Sequence, residues 1–152
     1  MPMKNYNEKE MRNLKLLVTL SRCNSSINSR IYPKIKEEGL TETQFSVLNL
    51  LYHKGKFNIK EIIEKTFSSG GTMTVVVNNL LKEGYIKKER SKIDKRQILI
   101  SITSKGLDLL DYILGTHVEN LKNTFDILTD TEKFILTELL KKLGKGKTDE
   151  EN

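Results

Sequence analysis

Apolar positions along this chain recur with two different periods, and the change of period divides it. Residues 8–31 carry Met11, Leu14, Leu17, Val18, Cys23, Ile27 and Ile31 in rough helical register. Asn7 stands where a cap belongs, with Glu8 and Glu10 against the positive end of the helix dipole. The apolar set around 14–20 is wider than a surface helix needs, which suits a helix covered by its own fold or by another subunit. Pro33 ends or kinks this helix, and a short helical turn runs to Gly39. Thr41 and Gln44 form a capping box opening a helix with Phe45, Leu48, Leu51 and Tyr52 inward, stopped at Gly55. Phe57 reads as a one- or two-residue strand, and Asn58 with Glu61 opens a further helix over 59–67.

Residues 68–70 then read as a turn, and Met73, Val76, Val77 and Leu80 make one stripe of a helix that Gly84 stops. Here the period falls to two. Residues 85–90 and 96–102 read as strands, with Ile98, Ile100 and Ile102 on one face and 91–95 as a short charged tip. Thr103 caps a long helix carrying Leu107, Leu110, Ile113, Leu114, Val118, Leu121 and Phe125. Leu128, Thr129 and Glu132 supply staple, cap and capping-box partner for a last helix that buries Phe134, Ile135, Leu139, Leu140 and Leu143.

The pattern predicts a mainly α chain of α+β winged helix-turn-helix outline: about six helices with a two- to three-stranded β-wing. The helices of 1–38 and 104–144 hold much of the apolar surface yet lie at opposite ends of the chain. They form one lobe only by meeting in space, around a DNA-binding unit at 39–103, with residues 1–6 frayed and 145–152 a disordered polar tail. Apolar residues make up 37% of the 152, a lean core that suits burial against a partner subunit.

Charge sharpens the reading. Residues 82–105 hold eight Lys/Arg and three acids, a net of +5 within a chain of net +6. A lysine-rich run alone is most simply a solvated surface. Joined to a helix with no acid on its outer face, it reads instead as a DNA-binding surface, with the helix entering a major groove and the hairpin following the backbone or a minor groove. On that helix Thr72, Thr74, Val75 and Asn78 are the expected base-edge or groove-wall contacts: Asn pairs bidentately with adenine, and Thr or Val methyls meet the thymine methyl. Ser69, Gly71 and Lys82 are placed for phosphates. The helix lacks arginine, so guanine readout by it is poor and DNA shape carries more of the selectivity. In the wing, Arg90, Lys92, Lys95 and Arg96 are the expected DNA-facing cations, with Asp94 fixing the tip by pairing with Arg96 or Arg90.

The segments GLTETQFSVLNLLYHKG (39–55) and GTMTVVVNNLLKEGYIKKERSKIDKRQILISITSKG (71–106), with the Asp-x-Arg of Asp94 and Arg96, resemble the DNA-binding domain of the MarR family of bacterial transcription regulators. The resemblance extends more weakly over the flanking helices. It implies a homodimer whose interface is the lobe built from both chain ends, a repressor of a pseudo-palindromic operator, Arg96 in the minor groove, and release by a small aromatic or phenolic effector, or by an oxidant. Cys23, Tyr32, Phe45, Tyr52, His53 and Tyr112 are the candidate pocket residues, although aromatics at helical spacing also read as plain core. The family's oxidant-sensing cysteine aligns near Leu17, and Ile31 and Glu42 stand where its assisting tyrosines would. Cys23 therefore reads as a small buried thiol.

Other chemistry finds little support. One cysteine allows no intramolecular disulfide and no Cys-based zinc cage, and His53 and His117 lack ligand-spaced companions, so no metal or cofactor is expected. There is no nucleophile–base motif, and SSGG is not followed by the Lys-Ser/Thr of a phosphate loop. No apolar run spans a bilayer and the N-terminus lacks an apolar leader, so a cytoplasmic protein is expected. A winged-helix module for protein contacts or non-specific nucleic-acid binding remains the rival reading.

Overall fold

A computed structural model of the chain describes residues 6–66 and 70–145. Among these are seven helices and two strands: α1 (Glu8–Ile31), α2 (Pro33–Glu37), α3 (Glu42–Lys54), α4 (Ile59–Thr66), α5 (Gly70–Lys82), β1 (Ile86–Arg90), β2 (Ile98–Ile102), α6 (Ser104–Phe125) and α7 (Asp130–Lys145). The count exceeds the expected six because the turn after Pro33 closes into a helix of its own. The residues expected to fray, save Tyr6, and those of the expected tail, save Lys145, lie outside the described residues, as do Phe67, Ser68 and Ser69.

The caps form as their residue types require. Asn7, Thr41 and Asn58 each accept the amide three residues on, while Glu10, Gln44 and Glu61 reach back to the cap amide. Thr129 and Glu132 do the same for α7. Gly55 and Gly84 end α3 and α5 at φ +88° and +75°, a conformation that side-chain-bearing residues avoid. Gly70, expected in a turn, belongs to α5, and the other two residues of that expected turn lie outside the described residues.

The core lies where α2, α3, α4, α5 and α6 converge on the wing. Ile35, Leu48, Leu51, Ile62, Met73, Leu80, Ile100, Leu110 and Ile113 are fully enclosed there. The strands pair antiparallel, with Ile86 opposite Ile102 and Arg90 opposite Ile98. Phe57 adds a third, one-residue rung through two backbone bonds to Ile100, at 3.2 and 2.8 Å. The ladder is shorter than the sequence suggested: Arg96 and Gln97 belong to the tip, and the turn spans 91–97. The expected alternation also fails at its outer end. Ile98 is exposed and Ser101 is buried, because β2 is covered on both sides only near the core.

The two chain ends differ most from expectation. α1 lies along α6 and borders a groove with α7 lined by Leu16, Leu20, Leu136, Leu139, Leu140 and Leu143, so the ends do meet. Yet α7 buries nothing. Phe134, Ile135, Leu139, Leu140 and Leu143 are all exposed, Phe134 by 68%. α1 buries only Ile31, and Met11, Leu14, Leu16, Leu17 and Val18 lie bare. The apolar stripes are real, but among the described residues nothing covers them.

Candidate nucleic-acid interface

α5 is anchored from beneath. Met73, Val76, Val77 and Leu80 are buried against α3, α4 and β1, and this turns Thr72, Thr74, Val75, Asn78, Asn79 and Lys82 to solvent. Val75, a β-branched apolar residue, is 60% exposed. No acid occurs within α5. The Thr74 hydroxyl turns back onto the Gly70 carbonyl at 3.1 Å, which leaves its methyl as the outward group. At the helix N-terminus Gly71 is exposed, with open space where a Cβ would stand; Ser69, the expected phosphate contact beside it, lies outside the described residues.

The wing is tied to α6 at its base. The Thr103 amide donates to the Tyr85 carbonyl at 3.0 Å, the Thr103 hydroxyl donates to the Gly84 carbonyl at 2.7 Å, and the Thr103 hydroxyl oxygen accepts the Gly106 amide at 3.2 Å. Lys105 donates to the Glu83 carbonyl at 2.7 Å and lies over the Tyr85 ring. The end of α5, the start of β1 and the start of α6 thus form one joint.

Arg90, Lys92, Lys95 and Arg96 are exposed. The acids among them are engaged. Glu89 is paired with Lys56 across from the loop after α3, and that ammonium holds the carboxyl below its usual range. Asp94 does not pair with a guanidinium. Its carboxylate accepts the backbone amide of Arg96 at 3.0 Å, because the tight turn brings that amide closer than either side-chain cation. Among the described residues the Arg96 side chain has no ion-pair partner, and it faces solvent. The outcome is a helix face free of acids beside a hairpin whose cations outnumber its uncompensated anions.

The pocket candidates separate. A cleft of about 710 Å³ opens between α6 and the α3–α4 pair, and it gathers Tyr32, Phe45 and His53 from the expected set. With them stand His117, the other lone histidine, and Ser46, Asn49, Lys54 and Lys65, four residues that sequence reasoning did not place there. The His117 ring meets Phe45 edge-on at 4.7 Å and lies 6.3 Å from Tyr32. Burial lowers the His117 pKa, against the opposing pull of the Ile31 carbonyl, so the ring is neutral at pH 7. Its Nδ1 and the Asn49 Oδ1 are buried without a hydrogen-bond partner. The clue in the sequence was register, since His117 continues the inward face of Leu110 and Ile113 by one turn.

Tyr52 and Tyr112 are elsewhere. The Tyr52 hydroxyl donates to Asp111 at 2.8 Å, and the Tyr112 hydroxyl accepts from Lys34 at 3.0 Å. Both tyrosines clamp α6, to α3 and α2 respectively, and neither lines the cleft of Tyr32, Phe45 and His53. Cys23 is exposed rather than buried, on a stretch of α1 that no other element covers. No described helix is long and apolar enough to cross a membrane.

Two successive helices packed together, α4 and α5, the second turned outward, and a basic hairpin locked beside it define a winged helix-turn-helix regulator that binds DNA. Residues 30–113 match the family model described as transcriptional regulator SarA/Rot. The chain is similar to the HTH-type transcriptional regulator MhqR of Bacillus subtilis, 35% identical over 88% of this chain and 92% of that one. Two solved structures share the fold. Sco3205, a MarR family transcriptional regulator from Streptomyces coelicolor in complex with DNA, superposes with a TM-score of 0.80 at 17% identity, covering 99% of this chain and 95% of that one. Bordetella bronchiseptica BpsR, whose DNA binding is regulated by 6-hydroxynicotinic acid, superposes at 0.78 and 21%, covering 96% and 100%. The chain belongs to the SarA/Rot family of transcriptional regulators, of the MarR type.

Proposed function

We propose that this regulator is a homodimeric repressor that binds a pseudo-palindromic operator in the cytoplasm. α1 and α7 form its dimerisation lobe, and residues 39–103 bind DNA. The observation that carries the reading is the pair of bare apolar faces on α1 and α7, joined through α6 to an outward-facing α5. A second copy on those faces removes them from water and presents two recognition helices at a separation of about 34 Å, one turn of DNA. Thr72, the Thr74 methyl, Val75 and Asn78 then face base edges. Gly71 and Lys82 face phosphates, and Ser69, outside the described residues, is the third phosphate contact of the proposal. Arg90, Lys92, Lys95 and Arg96 follow the backbone and minor groove.

The cleft between α6 and α3–α4 is the proposed effector site. Its aromatic walls suit a planar ring, the unpartnered His117 Nδ1 and Asn49 Oδ1 suit a phenol or ring nitrogen, and Lys54 and Lys65 suit a carboxylate. The ligand named for BpsR has that chemistry. A molecule wedged there changes the angle between α6 and the helix-turn-helix, and so the spacing of the two α5 helices. Release requires that it bind the displaced arrangement more tightly than the DNA-bound one.

The test is an electrophoretic shift with DNA flanking the protein's own gene, repeated with phenols, aromatic carboxylates and peroxide. Loss of the shift with an aromatic acid, and its retention in His117→Leu, supports the assignment. Loss with peroxide that Cys23→Ser prevents places the switch on α1 instead. Equal affinity for random duplex at moderate salt would leave only a non-specific binding module.

A further inference from the structure

The wing tip carries a side chain that ionic contacts do not explain. Ile93 is fully exposed, at 100% of its possible surface, between Lys92 on one side and Lys95 and Arg96 on the other. The turn that carries it is tied by five internal hydrogen bonds. The Ser91 hydroxyl oxygen accepts the amides of Ile93 and Asp94 at 3.2 and 3.3 Å, and Ser91 is itself buried. The Ser91 amide donates to the Gln97 carbonyl, and the Gln97 amide to the Asp94 carbonyl, each at 2.9 Å. With Asp94 holding the Arg96 amide, both flanks of Ile93 are fixed.

Single exposed apolar residues are ordinary on protein surfaces. This one differs in three respects. It is β-branched, a type that turns disfavour. Its backbone amide is held, so its direction is set. It also stands among the cations that bring the wing to DNA, where a polar residue would otherwise be expected. Apolar side chains presented this way enter the minor groove and part base steps, most readily at flexible pyrimidine–purine steps.

We propose that Ile93 is a minor-groove wedge, and that it makes the wing selective for deformable steps rather than for base identity. The proposal rests on the DNA-binding reading. It adds a selectivity that α5, lacking arginine, does not supply. Lys92, Lys95 and Arg96 provide attraction and register, and the Ile93 side chain senses how easily the stack opens.

Two labelled duplexes of about 30 base pairs test it, one alternating in A and T and one with all A on one strand. They carry equal charge and the same A·T groove acceptors, but only the alternating duplex offers TpA steps. The full-length wild type binds the alternating duplex more tightly. Ile93→Ser loses about ten-fold there and little on the homopolymer, with the dependence of log affinity on log salt unchanged, because no phosphate contact is lost. Ile93→Leu retains the preference. A 2-aminopurine beside a TpA step brightens with wild type and not with Ile93→Ser. Equal affinities for Ile93→Ser and wild type, an equal loss on both duplexes, or a shallower salt slope would overturn the wedge. Failure of the wild type to bind either duplex at low salt would overturn the DNA-binding reading instead. An unchanged melting temperature for Ile93→Ser, expected for a fully exposed position, excludes misfolding as the cause.

Discussion

Gly106 shows how closely the joint between wing and α6 is fitted. A Cβ there would run into the Tyr85 carbonyl oxygen, which is backbone and cannot step aside, and would sit 2.7 Å from Ile102 Cγ1. Gly106→Ala is therefore expected to destabilise the fold by about 1–3 kcal/mol, although alanine is the better helix former. Thermal unfolding checks this. Gly71→Ala, with open space at the same atom, is the control and should leave the midpoint unchanged or slightly raised. The same scale separates the wing's cations from its acid. Arg96→Ala removes an exposed charge from the tip, so it should weaken binding to any duplex and flatten the salt dependence by about one unit of slope. Asp94→Ala does something different. It frees the Arg96 amide and loosens the turn, so its loss of affinity should come with an undiminished salt slope. Anisotropy titrations across salt distinguish the two.

At the scale of elements, α6 joins everything. Tyr52–Asp111 clamps it to α3, Lys34–Tyr112 clamps it to α2, and His117 packs it on Phe45. His117 makes this seam sensitive to pH. Burial depresses its folded pKa below the unfolded value of about 6.5. The unfolded chain thus takes up a proton that the native ring resists. The stability this neutral ring allows is present above pH of about 6.5 and is lost as pH falls toward the depressed folded value. Denaturant titrations at pH 7.5 and at pH of about 5.5 should show that loss in wild type and a flatter profile in His117→Phe. A pH dependence unchanged by the substitution would remove His117 as its source.

The elements also show what the sequence could and could not disclose. Caps at Asn7, Thr41, Asn58, Thr103 and Thr129 were legible because capping is a contact over three residues, within reach of a local pattern. The outward face of α5 was legible for the same reason, since Met73, Val76, Val77 and Leu80 fix which side is buried. Partners distant in sequence were not. Nothing local told that Lys56 would take Glu89, that Tyr52 would turn to Asp111 rather than line a cleft, or that α4 would bring Lys65 to face His117. Asp94 misled because an acid flanked by arginines suggests an ion pair, whereas a tight turn offers it a nearer amide. The stripes of α1 and α7 were read correctly as stripes, but periodicity reports that a face seeks cover and not which chain supplies it.

For the whole molecule, those stripes are the basis of the proposed twofold assembly. α7 has no buried residue, and its exposed leucines, Phe134 and Ile135 continue across the groove to Leu16 and Leu20. An uncovered apolar surface of that extent marks a protein–protein contact. Leu139→Glu with Leu140→Glu should convert a two-chain particle into single chains by light scattering. The core of α3, α4 and α5 lies elsewhere, so the helix-turn-helix should stay folded. Operator affinity should then fall far more than a surface change explains, because each half-site is held by one helix and one wing alone.

The most direct measurement is the effect of half-site spacing. An operator selected with the wild-type protein from random duplexes should be a near-palindrome bound by two chains, with half-sites one turn of about 10 base pairs apart. Inserting about five base pairs between the halves places them on opposite faces of the DNA, and affinity should collapse toward that of random sequence. Ten should restore the facing only partly, since the lobe fixes the reach. Binding indifferent to the insertion, or a complex holding one chain, would contradict the account of a twofold assembly that reads DNA through paired α5 helices.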